Sequence, residues 1–250
     1  MHKIAIYNNK GGVGKSTLAV HLADALRRLD LKVLLVDLDS QNDCSLFLGL
    51  EEKPEKTFFN LIDYRYPADL KECIIEIRDN LELLTNANYE LIEKDLHRAT
   101  RIDNFLDKVF EKTEEIYDYM IIDCSPSRSI LNSAILFYVD SIIVPTQLEI
   151  ASIRGFSDIY NYLEDLDIDS AKVKLVVPNM FDTRTKEAQD NLNELKSIFD
   201  EDMITSPINR RTKITEASKA GKTIFEYNSD TQLEQFYNIV ERVIELGESI

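Results

Sequence analysis

At 250 residues the chain can bury a large core and lies at the upper end for one α/β domain. A formal charge of −16 and a pI near 4.7 argue against nucleic-acid binding by the whole surface, so any such binding must come from a local patch. No window approaches the ~18 uninterrupted apolar residues of a membrane span, and the N-terminus runs into a strand with no signal-like segment, so a cytoplasmic protein is expected. Cys44, Cys73 and Cys124 are scattered with no C-x-x-C pair, which argues against disulfides, zinc and iron–sulfur clusters.

The first element is Ile4-Ala5-Ile6-Tyr7, a short apolar run read as a buried strand. It leads into Asn9-Lys10-Gly11-Gly12-Val13-Gly14-Lys15-Ser16-Thr17. A strand, a glycine loop and a helix opening on Gly-Lys-Ser/Thr is a phosphate-binding arrangement. Gly11, Gly12 and Gly14 are expected at positive φ, letting the backbone approach an anion with no Cβ in the way. The N–H groups from Gly11 to Thr17 and the helix dipole then face the phosphates. Lys15 would reach the β and γ oxygens, and the Ser16 hydroxyl would sit on Mg2+. Where the ordinary pattern has its first glycine the chain has Asn9, and a second lysine, Lys10, precedes the paired glycines. This K-G-G-V-G-K-S-T box resembles the deviant Walker A box of the ParA/MinD ATPases. The resemblance implies that Lys10 crosses a dimer interface to touch phosphates held by the other subunit.

Leu18 to Leu29 reads as a helix with Leu18, Leu22, Ala25, Leu26 and Leu29 on one stripe. Lys32 to Asp37 is an apolar run suited to a parallel strand buried on both faces. It ends in Asp37-Leu38-Asp39-Ser40-Gln41, at the strand end where open α/β sheets bind ligands. That is similar to the D-x-D-x-Q box of ParA-like proteins, which implies that Asp39 positions the attacking water and Asp37 helps hold the magnesium shell. From residue 51 to about 117 only two elements stand out: a strand at Asn80–Thr85 and an amphipathic helix over Ile102–Glu115. Pro54 and Pro67 punctuate what reads as surface helices and loops, and Leu50 to Asp79 has the least clear structure.

Tyr117 to Asp123 is another apolar strand closing on aspartate, the Walker B arrangement, with Asp123 on a magnesium-bound water. Cys124-Ser125-Pro126-Ser127 resembles the family's D-x-P-P-S turn. Arg128 is either a surface charge or part of a dimer interface. Ser141–Pro145 reads as a strand leading into Thr146-Gln147-Leu148-Glu149, similar to the family's V-P-x-Q-x-E segment. Lys172–Val177 is a further strand, ending at Pro178-Asn179. In the family this loop meets the adenine, which makes Asn179 a candidate for base recognition, while a plain turn residue before a helix reads equally well. Pro207 resembles part of the family's segment around the nucleotide.

Strands near 3–7, 33–37, 81–85, 119–123, 141–145 and 173–177 alternate with helical stretches. That pattern predicts an α/β fold with a doubly wound, mostly parallel sheet flanked by helices. No repeat or linker interrupts it, so residues 1–250 are expected to form one domain. A first strand at Lys3 leaves no room for the N-terminal helix-turn-helix extension of some plasmid ParA proteins.

From Arg210 to Lys222 the chain reads RRTKITEASKAGK, five basic residues against Glu216 alone. Clustered Arg210, Arg211, Lys213, Lys219 and Lys222, joined by Arg184 and Lys186, suit phosphate-backbone contacts without base readout. In ParA-like proteins basic residues of this region bind nonspecific DNA once ATP has made the dimer. The last helix, about Thr231–Leu246, carries Leu233, Phe236, Tyr237, Val240, Val243 and Ile244 as a core-facing stripe. Its acidic end is unlike the Lys/Arg-flanked amphipathic helix of membrane-binding MinD proteins. The resemblance therefore implies a slow ATPase, dimeric on ATP and Mg2+, that binds nucleoid DNA and positions a cargo. A cargo-bound, ParB-like partner would stimulate hydrolysis. A MinD-like membrane regulator and a metabolic enzyme on the same fold are the alternatives.

Overall fold

Every apolar run that reads as a strand sends alternate residues to opposite faces of one sheet. Ile4 and Ile6 enter one core while Ala5 and Tyr7 enter the other, and Val33 and Leu35 part in the same way from Leu34 and Val36. The computed structural model describes residues 1–52, 54–63, 65–97, 101–149, 155–210, 212–227 and 233–248. Its sheet has seven strands in the order β3-β4-β2-β5-β1-β6-β7. These are β1 (His2–Ile6), β2 (Val33–Asp37), β3 (Ile74–Arg78), β4 (Leu81–Leu84), β5 (Tyr119–Asp123), β6 (Ser141–Gln147) and β7 (Val173–Asn179). All neighbours are parallel except β3 and β4. The expected doubly wound α/β architecture is thus present, with a core on each face.

The register places the site. Asp37 is opposite Asp123, and Asp123 is also opposite Ile6, the last residue of the strand that leads into the glycine loop. Three strand ends that carry chemistry therefore lie side by side, at the edge where ligands bind in such sheets.

Three expectations are corrected. β3, an antiparallel edge strand, occupies a stretch read as surface helices and loops; it folds back through Asp79-Asn80, with Asn80 at φ 60°. The helix expected over Ile102–Glu115 is broken into Phe105–Val109 and a 3-10 turn, Glu111–Thr113. There Phe110 is buried and its carbonyl takes the Thr113 hydroxyl at 2.6 Å, closing the chain on itself. Leu29 falls outside the first helix, α1 (Lys15–Arg27), and is 49% exposed. The C-terminal helix runs Leu233–Glu248 and buries Phe236, Ile239, Val240 and Val243. The expected start at Thr231 lies outside the described residues. Among the described residues no helix is long and apolar enough to cross a membrane.

Candidate functional site

The glycine loop is held from behind by two amides. Gln147, at the end of β6, donates to the Gly12 carbonyl at 2.9 Å, and Asn179, at the end of β7, donates to the Val13 carbonyl at 2.8 Å. Asn8 adds a bond to Pro145 O and accepts from the Lys10 N–H. Gly12 and Gly14 take φ of 74° and 93°, whereas Gly11 does not enter the left-handed region, which corrects the expectation for that glycine. Gly14 is required twice over: its φ disfavours any side chain, and a Cβ there would run into the Asn179 amide that braces the loop. Gly14 then caps α1, which begins at Lys15.

Lys15 is buried, and its ammonium rests on the Lys10 carbonyl at 3.1 Å. Burial lowers its pKa, against the pull of Asp123 and Asp39. Behind it Asp37, Cys44 and Asp123 have no exposure, and their ligand atoms all lie within 4.8 Å of one another. Asp37 accepts the backbone N–H groups of Asp39 at 3.2 Å and Cys44 at 3.0 Å. Asp123 accepts the Cys44 thiol at 3.4 Å and is bonded by the Ser16 hydroxyl, yet its Oδ1 has no partner. Burial pushes both carboxyls upward, and Asp123 pushes Asp37 further. A buried carboxylate is costly unless its charge is compensated, so the pair, with Asp123 Oδ1 unpartnered, favours a cation between the two groups. Two carboxylates and a serine hydroxyl are hard oxygen donors that suit Mg2+. The Cys44 thiol, pushed up by burial, is a proton donor here rather than a ligand. Asp39 is 8% exposed and faces the same space, with its Oδ1 taking the Gln41 N–H.

The structure therefore gathers Lys10, Gly11 to Thr17, Asp37, Asp39, Asp123 and Asn179 at one edge. Pro207 lines a neighbouring cleft of about 770 Å³ with Phe181, Asn209 and Tyr237. Gln147 was given no role from the sequence; its signal was its place in Thr146-Gln147-Leu148-Glu149. Asn132, also missed, fixes the turn after Asp123 by donating to Ser125 O and Ser127 O. Arg128 lies over the Tyr162 ring of its own chain and pairs with Asp165.

The basic residues are more dispersed. Arg184 is exposed but forks onto Asp182 at 2.8 and 2.7 Å, and Arg210 stands near the same carboxylate. Lys186 opens helix Lys186–Ile198. Lys213 is half-buried on helix Thr212–Lys219, which ends on the exposed Lys219, and the exposed Lys222 follows in the turn beyond it. Arg211 lies outside the described residues.

A family profile described as an AAA domain matches residues 1–176. The sporulation initiation inhibitor protein Soj of Bacillus subtilis is 32% identical over 244 residues, 94% of each chain. The chromosome partitioning protein ParA of Myxococcus xanthus is 29% identical, covering 90% of this chain and 81% of that one. Apo McdA of Cyanothece superposes with a TM-score of 0.86 at 21% identity, covering 97% and 99%. The Mg-ADP complex of MinD from Pyrococcus horikoshii gives 0.77 at 22% identity, covering 98% and 96%.

Proposed function

The chain belongs to the ParA family of partition ATPases, and from that membership we propose that it is a positioning ATPase whose ATP-bound dimer grips nonspecific DNA. The observation that carries the reading is the meeting of Lys15, Ser16 and the buried Asp37–Asp123 pair, with Asp123 Oδ1 unpartnered, at one sheet edge. ATP is the substrate class that answers it. The loop N–H groups and Lys15 take the phosphates, and Lys15 exchanges the Lys10 carbonyl for phosphate oxygens. Ser16, Asp37 and Asp123 would hold Mg2+, which when bound would neutralise charge on the phosphate oxygens. Asp39 orients the attacking water. Lys10 reaches the partner subunit's nucleotide, so dimerisation and ATP binding are one event.

The proposed output is location. A cargo-bound partner stimulates an intrinsically slow hydrolysis, and the dimer leaves the nucleoid when ATP is spent. The apolar stripe of the C-terminal helix packs into the core, which supports a DNA surface over a membrane one.

Sedimentation velocity with Mg-ATP tests the reading. Lys15→Ala should lose nucleotide binding, Lys10→Ala should keep it and lose the dimer, and Asp39→Ala should give a dimer that persists because hydrolysis stops. A Lys10→Ala protein that dimerises and turns over like the parent would remove the cross-subunit role. A monomeric Asp39→Ala protein would remove the water-positioning role.

A further inference from the structure

The basic helix Thr212–Lys219 ends against both arms of the nucleotide site. Its closing residue Gly221 (φ 66°) meets Gly49 (φ 76°) backbone to backbone: a Cβ on Gly221 would lie 2.5 Å from Gly49 Cα. Gly49 ends the segment of α2 (Asp43–Phe47), the helix whose Cys44 N–H bonds Asp37. Arg78 on β3 ties the same two ends, donating to Leu48 O and to Gly221 O, each at 3.2 Å. Its Nε and Nη2 also hold Glu226 at 2.7 and 3.2 Å.

The next residues are fixed to α1. Thr223 donates its hydroxyl to Asp24, which is fully buried and paired with Arg27 and Arg28. The Ile224 N–H donates to His21 Nε2 at 3.1 Å. The other ring nitrogen donates to the Thr17 carbonyl at 2.7 Å, one residue beyond Ser16.

We propose that residues 221–224 form a latch that sets the position of the basic helix from the state of the nucleotide site, with Arg78 as its positioning residue. The proposal deepens the DNA-binding reading, on which its biological meaning rests, by naming how ATP would be reported to that surface. Where Gly49 meets Gly221 no side chain separates the two backbones, and a close-packed contact of that kind transmits strain. Mg-ATP in the site would sit against Asp37, whose carboxylate takes the Cys44 N–H, and against Ser16 in the first turn of α1. Both places lie one or two elements from the latch.

Hydrogen–deuterium exchange on the full chain, with and without Mg-ATP, reads the latch without needing DNA. In the parent, ATP should change exchange over 212–224 together with the glycine loop. In Arg78→Met the loop should still be protected by ATP, while the response over 212–224 is lost. Gly221→Ala, which forces Gly49 and Gly221 apart, should behave alike. DNA titration of the same proteins adds a second readout: ATP should raise the parent's affinity by at least about fivefold, a usual coupling, and Arg78→Met should lose that gain while keeping the ATP dimer. A parent whose 212–224 segment ignores ATP, or variants that keep its response, would overturn the latch. A parent that shows the exchange response but binds no DNA would leave the latch standing and remove the DNA reading instead.

Discussion

Asp123 keeps a buried carboxylate oxygen that no group among the described residues satisfies, and it faces Asp37 across the same space. Its pKa is raised from 3.8 by burial, so the stability carried by its protonated form is complete below 3.8 and is lost as pH rises through the folded value. Asp123→Asn should therefore raise the melting temperature of the nucleotide-free protein by roughly 2–6 °C, and more at pH 8 than at pH 5.5. The same variant should lose the stabilisation that Mg-ATP gives the parent. Calorimetry at the two pH values checks both halves. Asn179 makes a second residue-scale prediction. Its Nδ2 is used on Val13 O and its Oδ1 on the Met180 N–H, so it braces the loop. Asn179→Ala should weaken ATP and GTP alike, by about tenfold, in a fluorescent-nucleotide titration. A loss confined to ATP would give the amide to the adenine. The phosphate loop and both aspartate boxes were legible because each motif is local in sequence. The Gln147 and Asn179 braces were not, because the bonds that define them span 135 and 166 positions.

At the scale of elements, α1 is buried on more than its apolar stripe, since His21 and Asp24 have no exposure either. The strand pattern betrayed six of the seven strands, because parallel strands buried on both faces read as plain apolar runs. β3 escaped because it is half-exposed and follows directly on the short helix Leu70–Cys73. Its signal was the alternation of Ile75-Glu76-Ile77-Arg78 before an Asp-Asn turn. No periodicity could show that α1 carries a buried histidine bridging Thr17 O and Ile224 N–H. Burial lowers the His21 pKa from 6.5, so the folded chain favours the neutral ring. Its contribution is complete above 6.5 and is lost as pH falls toward the depressed folded value. Denaturant midpoints should decline on going from pH 7 to pH 5.5, and His21→Leu should decline less over that range. The same variant should be less stable at pH 7 by about 1–3 kcal/mol for each polar group left unpaired. An unchanged pH slope in His21→Leu would assign the acid sensitivity to carboxylates.

For the whole molecule, the difficulty is a charge of −16 on a protein proposed to hold DNA. Screening confines that repulsion to about 8–10 Å at physiological salt, whereas exposed Arg210, Lys219 and Lys222 can touch phosphates. The patch is weaker than its sequence suggests, because Asp182 takes up Arg184. With Arg184 taken up, one subunit presents a weaker patch, and a dimer presenting two sets on one face would account for a requirement for ATP. The most direct measurement is a titration of the protein onto a short duplex of arbitrary sequence with ATP, ADP or no nucleotide across a salt series. The account predicts binding with ATP alone, and a log K against log salt slope near −3 to −4 if about four phosphates are neutralised per dimer. Arg210→Glu with Arg211→Glu should abolish it while the ATP dimer persists. Equal binding without nucleotide, or none at low salt with ATP, would contradict the account.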